Sequence, residues 1–103
     1  MPRGTGKLTL MSTLEAFRPR IRELAREHGV THVRVFGSFG RGEATETSDV
    51  DLLVELLPDR TLFDLGGFQM DAEALLGRRV DVVTPKGLHG PLRDRILQEA
   101  RAL

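Results

Sequence analysis

Between Thr13 and His28 apolar residues recur every three or four positions, at Leu14, Phe17, Ile21, Leu24 and Ala25, which predicts an amphipathic helix. Pro19 should kink that helix or mark a restart near its N-terminal end, because proline has no amide proton to give. Gly29 stands where a helix would end. The period then shortens to two: Thr31–Gly37 (THVRVFG) alternates, with Val33 and Val35 on one face, and reads as a strand. Phe39–Ser48 is polar, holds two glycines and shows no period, so it reads as a loop or a short helical turn. Asp49–Leu56 (DVDLLVEL) is a second strand, closed by Pro58-Asp59, with Val50, Leu52 and Val54 toward the core. Thr61–Leu76 reads as a helix weakened by Gly66-Gly67, with Phe63, Phe68 and Met70 assigned to the core. Arg78–Thr84 (RRVDVVT) is a third short strand ending at Pro85. Pro91–Leu103 is the last helix, with proline in its first turn and Leu92, Ile96, Ala100 and Leu103 turned inward.

The resulting order of helix, strand, strand, helix, strand, helix predicts an α/β (α+β) sandwich, a small mixed sheet flanked by helices. The 103 residues allow one domain, expected over residues 12–103, behind a loose lead-in at 1–11. Ser12 and Glu15 have the spacing of a capping box, and Met11 directly before them is a second candidate start. Within the lead-in, Gly4-Thr5-Gly6-Lys7 lacks the spacing of a Walker phosphate loop, and Leu8 stands where that loop needs Ser or Thr.

Composition removes several classes of function. The absence of Cys excludes disulfides, thiolate metal sites and thiol nucleophiles. Fifteen Lys+Arg against 15 Asp+Glu give zero net charge, which argues against binding nucleic acid through bulk electrostatics. No apolar run approaches the roughly 18 residues of a membrane span, and the N-terminus has no apolar signal core, so the expected location is the cytoplasm. Of the three histidines, His28 sits at a helix end, His32 points outward from a strand and His89 lies in a loop, so no two have the spacing of metal ligands. Residues 18–34 carry five Arg and two Glu, a solvated face or a docking surface for an acidic partner.

The chemistry concentrates elsewhere. Asp49 and Asp51 are two apart on a strand, so both leave the same face. With no basic residue between them they repel, and a divalent cation with oxygen ligands is the usual remedy. Gly37-Ser38 ends the preceding strand: glycine admits a close backbone approach, and serine offers a hydroxyl and an N–H to a phosphate oxygen. A helical turn opening here would aim further free N–H groups at the same phosphate, and Arg41 adds a planar cation. In Val80-Asp81-Val82 the valines face the core, which puts Asp81 on the opposite side, within reach of the other two acids if the strands are neighbours.

Gly37-Ser38, ten intervening residues, then Asp49-x-Asp51 resembles the signature of the DNA polymerase β-like nucleotidyltransferases. The longer stretch GSFGRGEATETSDVDLLVEL, with RRVDVV downstream, is similar to the minimal nucleotidyltransferases over roughly residues 13–101. The resemblance implies the nucleotidyltransferase fold and two Mg²⁺ ions held by Asp49, Asp51 and Asp81. It further implies that Asp81 helps deprotonate the attacking hydroxyl, and that Gly37, Ser38 and Arg41 bind the triphosphate of ATP. It also implies a partner, a helical HEPN toxin silenced by AMP transfer to a tyrosine. This chain has no Tyr, so such an acceptor must lie on another chain. Two alternatives stay open: an antitoxin that neutralises by binding alone, and a transferase acting on a small molecule.

Overall fold

The computed structural model describes residues 14–103; the lead-in and the Ser12 end of the capping box lie outside them. Leu14–Ala16 form one helical turn that breaks at Phe17, and the main helix restarts as α1, Arg18–Glu27, with Pro19 in its first turn. The restart expected from Pro19 therefore occurs, and its missing amide falls where a helix needs none. Then follow β1 (Val30–Phe36), α2 (Gly37–Arg41), β2 (Val50–Leu56), α3 (Leu62–Leu76), β3 (Val80–Val83), a 3₁₀ turn (Pro85–Gly87), α4 (Gly90–Glu99) and β4 (Arg101–Ala102).

The sheet order is β3-β2-β1-β4. β1 runs antiparallel to both β2 and β4, whereas β2 and β3 are parallel. A parallel pair needs a long crossover, and α3 supplies it. The start of α3 is set by Thr61, whose hydroxyl accepts the Phe63 N–H (3.2 Å) while the Asp64 carboxylate accepts the Thr61 N–H (2.9 Å). Gly77 ends it at φ +67°.

α1 and α3 cover one face of the sheet, burying Ile21, Leu24, Ala25, Val35, Val50, Leu52, Val54, Phe68, Ala72 and Val80 together. The opposite face carries a smaller cluster of Leu53, Leu88 and Ile96, with Phe36, Val83, Leu97 and Ala100 packed around it. β2 is thus apolar on both faces at Leu52–Leu53, and on its α4-side face Leu53 is preceded by an acid, Asp51. No helix of the described residues is long and apolar enough to cross a membrane.

Three expectations need correction. The last helix stops at Glu99, and residues 101–102 become an edge strand on β1, so Leu103 is buried just past that strand and not from a helix. Leu92, expected inward, is exposed; the inward positions of α4 are Ile96, Leu97 and Ala100. Of the three residues assigned to the core of α3, Phe68 is buried, but Phe63 and Met70 are exposed. Leu65, Phe68, Ala72, Leu75 and Leu76 share the helical stripe that faces the sheet, and Phe63 and Met70 fall off it.

Candidate active site

Gly37 joins β1 to α2 at φ +68°, a conformation that side chains other than hydrogen adopt only with strain. Glycine is required for a second reason as well: a Cβ at this position would collide with Asp51 Oδ2. The Gly37 turn and the β2 carboxylate are therefore in direct apposition. α2 lasts five residues and ends at Gly42 with φ +73°, which completes the helical turn anticipated for the loop that follows β1.

The segment leading to the acids is tied down from both sides. The Ser48 hydroxyl accepts the Thr45 N–H (2.8 Å), and Arg78 donates to the carbonyls of Ser48 (2.8 Å) and Thr45 (3.3 Å). The Arg78 guanidinium also lies over the Phe39 ring, 5.1 Å from its centre. The Val50 N–H donates to the Arg79 carbonyl (3.0 Å), so Asp49 enters β2 between fixed neighbours. On the far side Glu73 of α3 accepts the Val80 N–H (3.1 Å), anchoring the start of β3.

Asp51 and Asp81 are register partners in the parallel ladder, with Val50 opposite Val80 and Leu52 opposite Val82. The alternation that buries Val80 thus turns Asp81 beside Asp51. The electrostatics report the crowding: the Asp51 carboxyl is pushed up to about 6, first by burial and then by the negative charges of Asp81 and Asp49, with Arg41 opposing. A carboxylate set that resists its own charge in this way, and offers oxygen donors alone, fits a hard divalent cation.

Ser38 follows Gly37 in α2, half-buried, and its carbonyl accepts the Glu43 N–H at 2.8 Å. Arg41 also lies here, but its partners are acids. Its Nε donates to Glu43 (3.0 Å) and its Nη1 to Glu99 (3.3 Å), and these contacts raise its pKa above the ordinary guanidinium value. Glu99 additionally accepts the Gly37 N–H at 2.9 Å. Sequence reasoning missed Glu99, which is 62 positions from Gly37 and carries no local pattern.

A second grouping forms away from these acids. Among the described residues, Glu27, His28 and Asp71 bring one ligand atom each within 4.8 Å of one another. There His28 Nε2 and Asp71 Oδ2 are 2.7 Å apart, a hydrogen-bonded contact between the end of α1 and the middle of α3.

Comparison with known proteins points one way. A family model of the nucleotidyltransferase domain matches residues 15–103. A protein of Methanocaldococcus jannaschii named as a candidate protein adenylyltransferase is 46% identical over 74 residues, 72% of this chain and 80% of its own. The protein adenylyltransferase MntA of Thermococcus cleftensis is 41% identical over 78 residues, 76% of this chain and 79% of its own. A solved structure described as a candidate minimal nucleotidyltransferase superposes with TM-score 0.82 at 47% identity, covering 90% of this chain and 95% of that one. A toxin–antitoxin structure containing AMP-PNP shares the fold, with TM-score 0.69 at 19% identity over 82% of this chain and 69% of that one.

Proposed function

The chain belongs to the nucleotidyltransferase domain family and is a nucleotidyltransferase enzyme of the minimal kind; on that premise we propose that it moves AMP from ATP to a hydroxyl, that of a tyrosine on a partner HEPN toxin, and so acts as an antitoxin. The observation that carries the reading is the pairing of Asp51 with Asp81 in register, with Asp49 two residues away and Gly37 pressed against Asp51.

In this reading Asp49, Asp51 and Asp81 would hold two Mg²⁺ ions, which would supply positive charge to offset that of the triphosphate. The Gly37 and Ser38 N–H groups and the Ser38 hydroxyl grip phosphate oxygens, and Arg41 adds a guanidinium to them. The acceptor O–H gives its proton toward Asp81 as its oxygen bonds to the α-phosphorus. The α–β bridging oxygen leaves with pyrophosphate, and the product is a phosphodiester to AMP.

A protein acceptor is supported by the surface: Leu62 and Phe63 stand in solvent at 77% and 92% exposure, an apolar step suited to a protein partner. A tyrosine acceptor must lie on that partner, because this chain has no Tyr. The related MntA is named a protein adenylyltransferase, and a structure of the same fold is the toxin–antitoxin pair MntA–HpeT (TM-score 0.67, 20% identity, 84% of this chain and 70% of that one). Residues 12–103 constitute the catalytic unit in this proposal, acting in the cytoplasm without binding nucleic acid or membrane.

Intact-mass spectrometry of a HEPN partner protein, incubated with the chain, ATP and Mg²⁺, tests the proposal. A gain of AMP units that Asp49→Ala abolishes is the expected result. A stable complex of the two proteins with no mass gain would replace catalysis with neutralisation by binding.

A further inference from the structure

Glu99 is placed by forces that have nothing to do with nucleotide. α4 ends there because the residues just beyond it, Arg101 and Ala102, are drawn into pairing with Val35 and Arg34 at the free edge of β1. The helix end is closed by the Ala100 N–H on the Ile96 carbonyl at 2.9 Å. The Glu99 carboxylate is thereby delivered onto the Gly37 turn, with its side chain 19% exposed. One oxygen, Oε2, accepts the Gly37 N–H at 2.9 Å, and Arg41 Nη1 faces both oxygens at 3.3 and 3.4 Å.

The carboxylate thus occupies two of the donors that the proposed function assigns to a phosphate. An amide N–H has one hydrogen to give, and two anions at one guanidinium edge repel each other. Glu99 also puts a negative charge on the Gly37 turn itself, which opposes an incoming triphosphate there. Meanwhile it keeps the Gly37 turn and Arg41 in a fixed arrangement.

We propose that Glu99 is an anion-mimicking latch, a positioning residue that holds the Gly37 turn and Arg41 ready in the absence of nucleotide and is displaced when a nucleoside triphosphate binds. The inference rests on the reading of Gly37, Ser38 and Arg41 as the triphosphate site. Its consequence is that the free chain binds nucleotide more weakly than its donor set allows.

Calorimetric titration of the chain with ATP and Mg²⁺ tests this, comparing wild type with Glu99→Gln and Glu99→Asp. Gln keeps an oxygen for the Gly37 N–H and loses the charge, whereas Asp keeps the charge and shortens its reach. Glu99→Gln should bind ATP more tightly, by about fivefold, the scale of one screened like-charge contact; Glu99→Asp, which keeps the charge but pulls it back from the Gly37 turn, should gain less. A residue that merely braced the fold would loosen binding when replaced, and a metal ligand would raise the Mg²⁺ concentration needed; unchanged or weaker binding in both variants, with wild type still binding, overturns the latch and leaves the nucleotide site standing. Failure of all three proteins to bind ATP at millimolar concentration overturns the nucleotide site itself, and the latch with it.

Discussion

Asp51 faces Asp81 across the parallel β2–β3 ladder, and the same Asp51 carboxylate fills the space that a side chain at Gly37 would need. One residue therefore couples the acid cluster to the turn after β1. The coupling has an energetic cost, because burial and two like charges hold a half-buried carboxyl at a pKa of about 6.

That cost predicts a variant more stable than the parent. The folded-state value lies above the ordinary 3.8, so between roughly pH 4 and 6 the native chain retains a proton that the unfolded chain has lost. Stability contributed by this group is full below pH 4, falls as pH rises to 6 and stays lost above it. Asp51→Asn removes the penalty. After discounting for solvent screening, the gain at pH 7.5 is about 1 kcal/mol, or roughly 4 °C in Tm for a domain of this size. Thermal melts in chelator at pH 7.5 and pH 4 check it: the difference should be present at the first and vanish at the second.

Gly37 and Gly42 separate backbone strain from steric exclusion. Both have positive φ, but a Cβ at Gly42 meets nothing within 4 Å, whereas at Gly37 it meets Asp51. Gly42→Ala should cost about 1 kcal/mol. Gly37→Ala should cost about 2–4 kcal/mol, since the β2 carboxylate must also move. Denaturant unfolding of Gly37→Ala, Asp51→Ala and the double variant checks the cause. Removing the Asp51 side chain should recover the steric part and leave the backbone part.

What the sequence displays and what it hides divide along local and distant interactions. The Gly37-Ser38 turn, Asp49 and Asp51 could be read because glycine, a fixed spacing and a period of two are local properties. Asp81 could be read because valines on both sides force its direction. Glu99 could not, since its role depends on where α4 ends, and that depends on Arg101 and Ala102 pairing with β1. Neither residue has the β-branching that marks a strand; a free sheet edge recruits them. The same distant event misassigned Leu103, which is buried just past that strand. Phe63 and Met70 failed for another reason: hydrophobicity alone placed them in the core, whereas the helical stripe set by Phe68 and Ala72 left them outside.

The acid cluster also predicts how the fold responds to metal. If Asp49, Asp51 and Asp81 hold Mg²⁺ in the native state alone, added Mg²⁺ should raise Tm with a saturable dose dependence. At ten times the dissociation constant the stabilisation would be about 1.4 kcal/mol. Asp51→Asn and Asp81→Asn should flatten that response. Melts of wild type and both variants across a Mg²⁺ series measure it; an equal rise in all three would assign the effect to general screening and not to these carboxylates.

Gly66 and Gly67 lie side by side in α3, where both weaken the helix by propensity, yet the fold gives them different work. A Cβ at Gly66 meets nothing within 4 Å; at Gly67 it meets the His28 ring, 2.8 Å from Cε1 and 3.0 Å from Nδ1. That ring is held in place by its 2.7 Å contact with Asp71, the contact that ties the end of α1 to α3. Gly66→Ala should therefore stabilise the chain by about 0.5–1 kcal/mol, the ordinary gain in an open helical position. Gly67→Ala gains the same propensity but must displace the imidazole or break its bond to Asp71, so it should be destabilising by about 1 kcal/mol. Adding His28→Ala to Gly67→Ala removes the obstacle, so in that background the glycine replacement should turn stabilising. Urea unfolding of wild type, Gly66→Ala, Gly67→Ala, His28→Ala and the His28→Ala/Gly67→Ala double variant reads the sign directly, and a stabilising Gly67→Ala in the presence of His28 would show that the two helices part more easily than their contact implies.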